Sequence, residues 1–253
     1  MTNPAASQFE TLAALYEDMA RWPFRRDIEI PSVMGVLGDL SGKDVLDFGC
    51  GTGMYARWIK DRGARRVVGF DLAEGMLSFA RRQAAAQGYD IRFVDALTDD
   101  LARQFDVVVA VYVLPYAGSR DELDAMCASM ARLLRPGGRL VALPIHPDYH
   151  PDPDFYRPLG LSYAADDPAT APHKDGGVIH VSLSRGGQSA AFDAWYWSRG
   201  SIEAAMRAAG LGPVTWHALT QAEGTQPDVD PAFLRAFLAR PHAVVTEAVR
   251  MAG

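Results

Sequence analysis

The sequence predicts an α/β fold built on a doubly wound, mostly parallel sheet. Three observations carry that reading. Short Val/Leu/Ile-rich runs recur between longer stretches of helical spacing, and near-continuous apolar strands belong to sheets covered on both faces by crossover helices. A glycine-rich turn, Asp47-Phe48-Gly49-Cys50-Gly51-Thr52-Gly53, lies where the first run passes into the first of these helices. Acidic residues stand at the ends of three successive runs, at Asp47, Asp71 and Asp95. In such sheets the ligand crevice opens at these strand ends.

Residues 7–20 bring Phe9, Leu12, Ala13, Tyr16 and Met19 near helical spacing, which predicts a short amphipathic helix broken by Trp22-Pro23. A second helix should begin after Phe24 or after Pro31 and run to about Leu40. Strands are then predicted at 44–48, 66–71, 91–95, 105–113 and 139–145, with helices over 54–61, 74–87 and 121–134. Pro136-Gly137-Gly138 turns the chain into the fifth strand. Residues 146–177 hold six prolines and several aromatics but little periodicity. A stretch of that length without regular elements reads as a functional lid. Two strands follow, 178–184 and 190–197, around a hairpin turn at Arg185-Gly186-Gly187-Gln188. Ser198 or Ser201 caps a helix through Ala209, Gly210 stops it, 213–219 forms a last strand, and 231–239 forms one more helix. The expected organisation is one domain over 1–253: a helical cover (1–40), a core (44–145), a lid (146–189) and C-terminal strands and helices (190–253).

Composition narrows the function classes. The 253 residues are 49% apolar and 22% charged, enough chain to bury a core without staples. A net charge of −6 with scattered arginines argues against nucleic acid and against an anionic membrane surface. Cys50 and Cys127 are too few for a disulfide framework or a four-cysteine zinc site. Of the six histidines only His146 and His150 stand four apart, and they lie in an irregular proline-rich stretch rather than on a helix; no metal is implied, and Asp148, Asp152 and Asp154 read as a solvated loop. The N-terminus has no basic segment followed by an apolar core, and no apolar run reaches the ~18 residues of a spanning helix. A cytoplasmic protein is expected.

The glycine turn sets the chemistry. Glycine lets the chain turn tightly and lets a ligand approach the backbone, while the helix N-terminus behind it offers unpaired N–H groups. Asp71 follows Gly53 by 18 residues, close to the roughly 20 at which a carboxylate meets ribose hydroxyls in dinucleotide-type folds. DVLDFGCGTG, VVGFDLAEGML, FVDA, FDVVVAVYVLPY and LLRPGGRLV together, over residues 44–145, resemble class I S-adenosylmethionine-dependent methyltransferases. The G-x-G-x-G spacing separates them from nicotinamide enzymes, whose fingerprint is G-x-G-x-x-G.

That resemblance implies a Rossmann-like, seven-stranded sheet in which the sixth and seventh strands extend the core and the last is antiparallel. It also implies S-adenosylmethionine as cofactor, with S-adenosylhomocysteine as product. Asp47 and the turn Gly49, Cys50, Gly51 and Gly53 would hold the methionine end, and Asp71 would take both ribose hydroxyls. Leu72 and Met76 would line the adenine, and Asp95 would accept from its amino group with Ala96 alongside. Ala110 to Tyr112 would pass beneath the sulfonium. Tyr16 and Pro23-Phe24-Arg25 resemble the helical cover of small-molecule methyltransferases, so Tyr16 and Arg25 would close over the cofactor's carboxylate end. Residues 194–219 resemble the C-terminal half of enzymes that N-methylate azapteridine rings in toxoflavin-type antibiotic biosynthesis.

The expected reaction is transfer of a methyl group to N or O of a small planar, heteroaromatic acceptor. Positioning alone supplies about 7–11 kcal/mol in such reactions. An alcohol or phenol also needs a base within roughly 3 Å. His146, directly after the fifth strand, is the first candidate base, with Tyr112 beside it, and His150 and His217 follow. Tyr112, Tyr116, His146, Tyr149, Tyr196 and Trp197 are the candidate acceptor-binding residues, although strand alternation lets only one of Tyr196 and Trp197 face a cleft. Three alternatives stay open: a cofactor-retaining cyclase or binding protein, a phenolic O-methyltransferase using a histidine base, and a protein or RNA methyltransferase. The oligomeric state is open as well, a homodimer included.

Overall fold

The computed structural model describes residues 12–166, 173–225 and 228–252. Phe9, with the rest of 7–11, and residues 167–172 of the predicted lid lie outside the described residues. The N-terminal cover comprises helix α1 (Ala13–Met19), a π-helical turn (Arg25–Glu29) and α2 (Ile30–Leu37). The core alternates β1 (Asp44–Phe48), α3 (Met54–Asp61), β2 (Arg66–Phe70), α4 (Glu74–Ala86), β3 (Arg92–Val94), β4 (Phe105–Val111), α5 (Arg120–Leu133) and β5 (Leu134–Leu143). After it come β6 (Leu161–Ala165), β7 (Val178–Arg185), β8 (Gln188–Trp195), α6 (Arg199–Ala208), β9 (Thr215–His217), α7 (Pro231–Ala239) and β10 (Val245–Val249).

Seven strands form one sheet in the order β3-β2-β1-β4-β5-β10-β9. β1 to β5 run parallel, and β10 is antiparallel to both of its neighbours. Successive side chains of a strand point to opposite faces, and the core divides accordingly. Val45, Val67, Val107, Val109, Val141 and Leu143 pack with α2, α3 and the lid. Leu46, Val68, Val108, Ala110, Leu140 and Ala142 pack with α5 and α6 on the other side. Burial on both faces is why every residue of β1 is buried, its two aspartates included.

Three expectations need correction. The stretch 146–177 contains regular structure: β6 pairs along its whole length with β7, and β6-β7-β8 form a second, three-stranded sheet. The segment 213–219 is not the last strand. That place belongs to β10, which lies between β5 and β9. The second helix starts after Phe24, through a π turn, and stops at Leu37 rather than Leu40, where Gly38 adopts a left-handed φ of 62°. The hairpin at Gly186-Gly187 and the cap at Ser198 form as expected: both glycines have positive φ, and the Ser198 hydroxyl accepts from the Ser201 amide.

The inserted sheet is anchored, not loose. Tyr149 and Tyr156 have no exposed surface. The Tyr156 hydroxyl donates to the Arg240 carbonyl at 2.9 Å and accepts from the His150 amide at 2.8 Å. Removing it in Tyr156→Phe leaves two backbone groups without their partner, at a cost of about 1–3 kcal/mol. Denaturant titration should show that loss with an unchanged m-value; a variant as stable as the parent would mean that the lid does not depend on this bridge.

Candidate functional site

The glycine turn opens a cleft at the strand ends, because its backbone bends away from α3. Gly49 has a φ of 71°, and a Cβ there would lie 2.6 Å from Val113 Cγ2. Gly51 has a φ of 51° with nothing within 4 Å of a built Cβ, so its wall of the cleft stays bare. Asp71 fixes the turn: its carboxylate accepts from the Gly51 amide at 2.8 Å and from the Ala73 amide at 2.9 Å. The open cleft measures about 1140 Å³ and is lined by Tyr16, Arg25, Asp47, Gly49, Cys50, Gly51, Asp71, Leu72, Met76, Tyr112 and Tyr116, among others.

Asp47 is the unusual group there. Its side chain is buried and its Oδ2 has no hydrogen-bond partner among the described residues. Burial pushes its carboxyl up to about 7, the nearby Asp71 charge adding to the rise while the Ala56 amide and Arg57 oppose it. A carboxylate with an open lone pair beside a bare glycine wall suits an ammonium group. The donor set therefore fits the amino-acid end of the cofactor that the resemblance implies.

A second chamber adjoins the first and shares Tyr16, Arg25, Tyr112 and Tyr116 with it. The inserted sheet supplies much of its wall through Leu161, Tyr163, Val181, Leu183, Phe192 and Ala194. The Tyr116 and Tyr16 rings both approach Phe192, at 6.2 and 6.4 Å. At the polar corner, Arg25 Nε donates to Glu29 Oε1 at 2.8 Å, and the Tyr112 hydroxyl meets both Glu29 Oε2 and His242 Nε2. Burial pushes the Glu29 carboxyl up, but the Arg25 guanidinium, His242 and Tyr112 more than offset this and hold it below its ordinary value. Burial raises the Tyr112 phenol well above its usual range.

The other sequence candidates lie elsewhere. Asp95 and Ala96 are exposed and line neither cavity. Ala110 is buried in the α5 face of the sheet. At Gly53, the N-cap of α3, a Cβ would meet Phe93 at 2.8 Å. His146 lines neither cavity: its amide donates to the His242 carbonyl, and its Nδ1 accepts from the Asp148 amide. Burial lowers its imidazole below the ordinary value. Tyr149 packs among Tyr163, His173 and Tyr196, the Tyr196 hydroxyl donates to the Pro147 carbonyl, and Trp197 Nε1 donates to the Ala117 carbonyl. These three bind the lid to the core. His150 stacks on Phe155, and His217 faces Glu247.

Glu29, Tyr163, Phe192 and His242 were not anticipated as cavity residues. Glu29 had a signal, standing four residues after Arg25, the spacing of a helical ion pair, but His242 had none.

Residues 45–138 match a family model described as a methyltransferase domain. The malonyl-[acyl-carrier protein] O-methyltransferase of Serratia marcescens is 32% identical over 135 residues, 53% of this chain and 47% of that protein. The chain thus spans about half the length of the known relatives it matches. Among solved structures, the CcbJ methyltransferase of Streptomyces caelestis superposes with a TM-score of 0.62 at 20% identity, covering 99% of this chain and 100% of that one. The [4+2]-cyclase SpnF superposes with a TM-score of 0.64 at 15% identity, covering 100% and 97%. Both likenesses concern the fold.

Asp47 yields a test of the cleft's electrostatics. Its folded-state value of about 7 lies above the ordinary 3.8, so the folded chain holds a proton that the unfolded chain releases across that window. Stability contributed by this group is full below about pH 4 and is lost as pH rises towards 7. Asp47→Asn should match the parent near pH 4 and melt at a higher temperature at pH 8. Calorimetric melting curves that differ equally at both pH values would contradict the burial argument.

Proposed function

Because residues 45–138 match a methyltransferase-domain family model, we propose that the chain is a class I S-adenosylmethionine-dependent methyltransferase acting on a small planar aromatic molecule. The observation that carries this reading is the joining of two unlike chambers. One holds a carboxylate pair and a bare glycine wall. The other is aromatic and aliphatic with a single polar corner. When bound, the cofactor supplies an electrophilic methyl group on a positively charged sulfur.

The chain's own residues bind and align. Asp47 Oδ2 would take the ammonium, and Arg25 and Tyr16 would close over the carboxylate end. The Asp71 carboxylate, which lines the first chamber, would receive the ribose hydroxyls, with Leu72 and Met76 beside the adenine, and Asp95 and Ala96 at its exposed edge. Leu72, 54% exposed here, is a ready apolar surface for a flat ring. In the second chamber Tyr16, Tyr116 and Phe192 would stack on the acceptor, each pair contributing on the order of 0.5–1.5 kcal/mol beyond burial. Among the described residues no helix is long and apolar enough to cross a membrane, so nothing conflicts with a diffusible acceptor. An azapteridine acceptor rests on the likeness of residues 194–219 alone.

The likeness to SpnF favours a second reading, a cyclase that keeps its cofactor as a fixed charge. Titration calorimetry with S-adenosylmethionine and S-adenosylhomocysteine should show micromolar binding, weakened roughly 10–100-fold in Asp71→Ala, as expected when charge-assisted hydrogen bonds worth about 1.5–3 kcal/mol are lost. A folded parent that binds neither compound would end the proposal. Product formation without gain of labelled methyl would favour the cyclase.

A further inference from the structure

Resting on the methyltransferase reading, we propose that His242 is the general base of the reaction and that the acceptor is an aromatic ring bearing an ionisable hydroxyl. The argument begins with the proton count at the polar corner. Glu29 is an acceptor only, and Tyr112 has one proton to give. The phenol therefore donates to Glu29 and accepts from His242 Nε2–H, 2.9 Å away. With its proton on Nε2, the neutral imidazole carries its lone pair on Nδ1.

That nitrogen is buried, and it has no hydrogen-bond partner among the described residues. His242 itself is 1% exposed and lines the second chamber. A buried acceptor left unpaired is destabilising, and a hydroxyl entering the chamber would satisfy it. The remaining wall is apolar, which suits a flat hydrophobic body. The step is a proton transfer: the acceptor's O–H bond breaks, its electron pair stays on oxygen, and an N–H bond forms at Nδ1. The resulting imidazolium lies 3.7 Å from Glu29 Oε2, on which its positive charge is balanced.

The groups packed against His242 leave it alone in this role. From the cover come Phe24, Arg25 and Glu29, of which Arg25 is paired with Glu29. From the end of β4 comes Tyr112, and from the lid Tyr156 and Tyr163, three phenols raised above their ordinary values by burial. Phe237 of α7 is apolar, and the Nδ1 of His146 already accepts from the Asp148 amide. Tyr112 and Glu29 are positioning residues, fixing the tautomer of His242. Tyr112 holds a φ of 55°, rare for a tyrosine, which turns the chain sharply as it leaves β4.

The test uses the full chain with 4-nitrophenol, whose phenolate absorbs in the visible. At pH 6, where the free phenol is mostly protonated, adding the protein should raise a saturable phenolate band. In His242→Asn the band should fall at least tenfold while calorimetric affinity for 4-nitrophenol stays within about threefold. His242→Gln is a second variant should the first fold poorly. Binding of S-adenosylmethionine, measured alongside, should change less than threefold, since His242 does not line the first chamber. An equal band in the variants, or no binding of 4-nitrophenol to the parent, would overturn the assignment of His242. Failure of the parent to bind S-adenosylmethionine would instead strike the methyltransferase reading and leave the nitrophenol result to judge the base.

Discussion

The constraint on which this architecture turns is the burial of one carboxylate. Glu29 has no exposed surface, and an isolated buried charge is so costly that it has to be surrounded by partners or give up its ionisation. Its partners come from three distant parts of the chain: Arg25 from the cover, Tyr112 from the end of the fourth strand, and His242 from the segment leading into the tenth. Meeting the needs of one acid therefore locks the N-terminal cover and the C-terminal segment onto the edge of the parallel sheet. The four groups neutralise one another in part, so the charge is tolerated without solvent.

The two chambers differ in polarity. The first is organised by backbone amides and two acids, and its shape follows from the glycine turn and from Asp71, which grips that turn across the sheet. The second is organised by rings and branched side chains from the inserted sheet. Arg25, Tyr16, Tyr112 and Tyr116 belong to both, so the two chambers share one wall. A ligand touching Arg25 from the first chamber also touches the partner of Glu29, and through it the hydrogen bonds that orient His242.

Much of the fold was legible because its signals are local. Asp44–Phe48 and Phe105–Val111 are apolar runs of strand length, and the turn that begins at Asp47 announces itself within seven residues. Asp71 was found because spacing along a βαβ unit is nearly constant. The inserted sheet was harder to read, since Leu161–Ala165 is short and follows a proline-rich run whose only evident property is irregularity. Strand ten was missed because Val245–Val249 follows a helix and carries no turn signature that would bring it back beside the fifth strand. His146 drew attention by standing next to a strand end, yet the local turn engages its ring with Asp148. His242 and Glu29 lie more than 200 positions apart, and no single-sequence pattern joins them. The left-handed backbone of Tyr112 is a tertiary outcome of the same kind.

The place of the tenth strand governs the order in which the molecule can be assembled. The ninth strand pairs with the sheet only through the tenth, so it has nothing to pair with until residues beyond 244 have left the ribosome. During synthesis, domains fold from the N-terminal side as chain becomes available, and the first five strands with their glycine turn can consolidate early. The His242 corner closes only when the tenth strand slots beside the fifth. A nascent or truncated chain would thus hold the first chamber in near-final form while the second gaped, and the docking of the tenth strand would also be the event that closes the corner around Glu29.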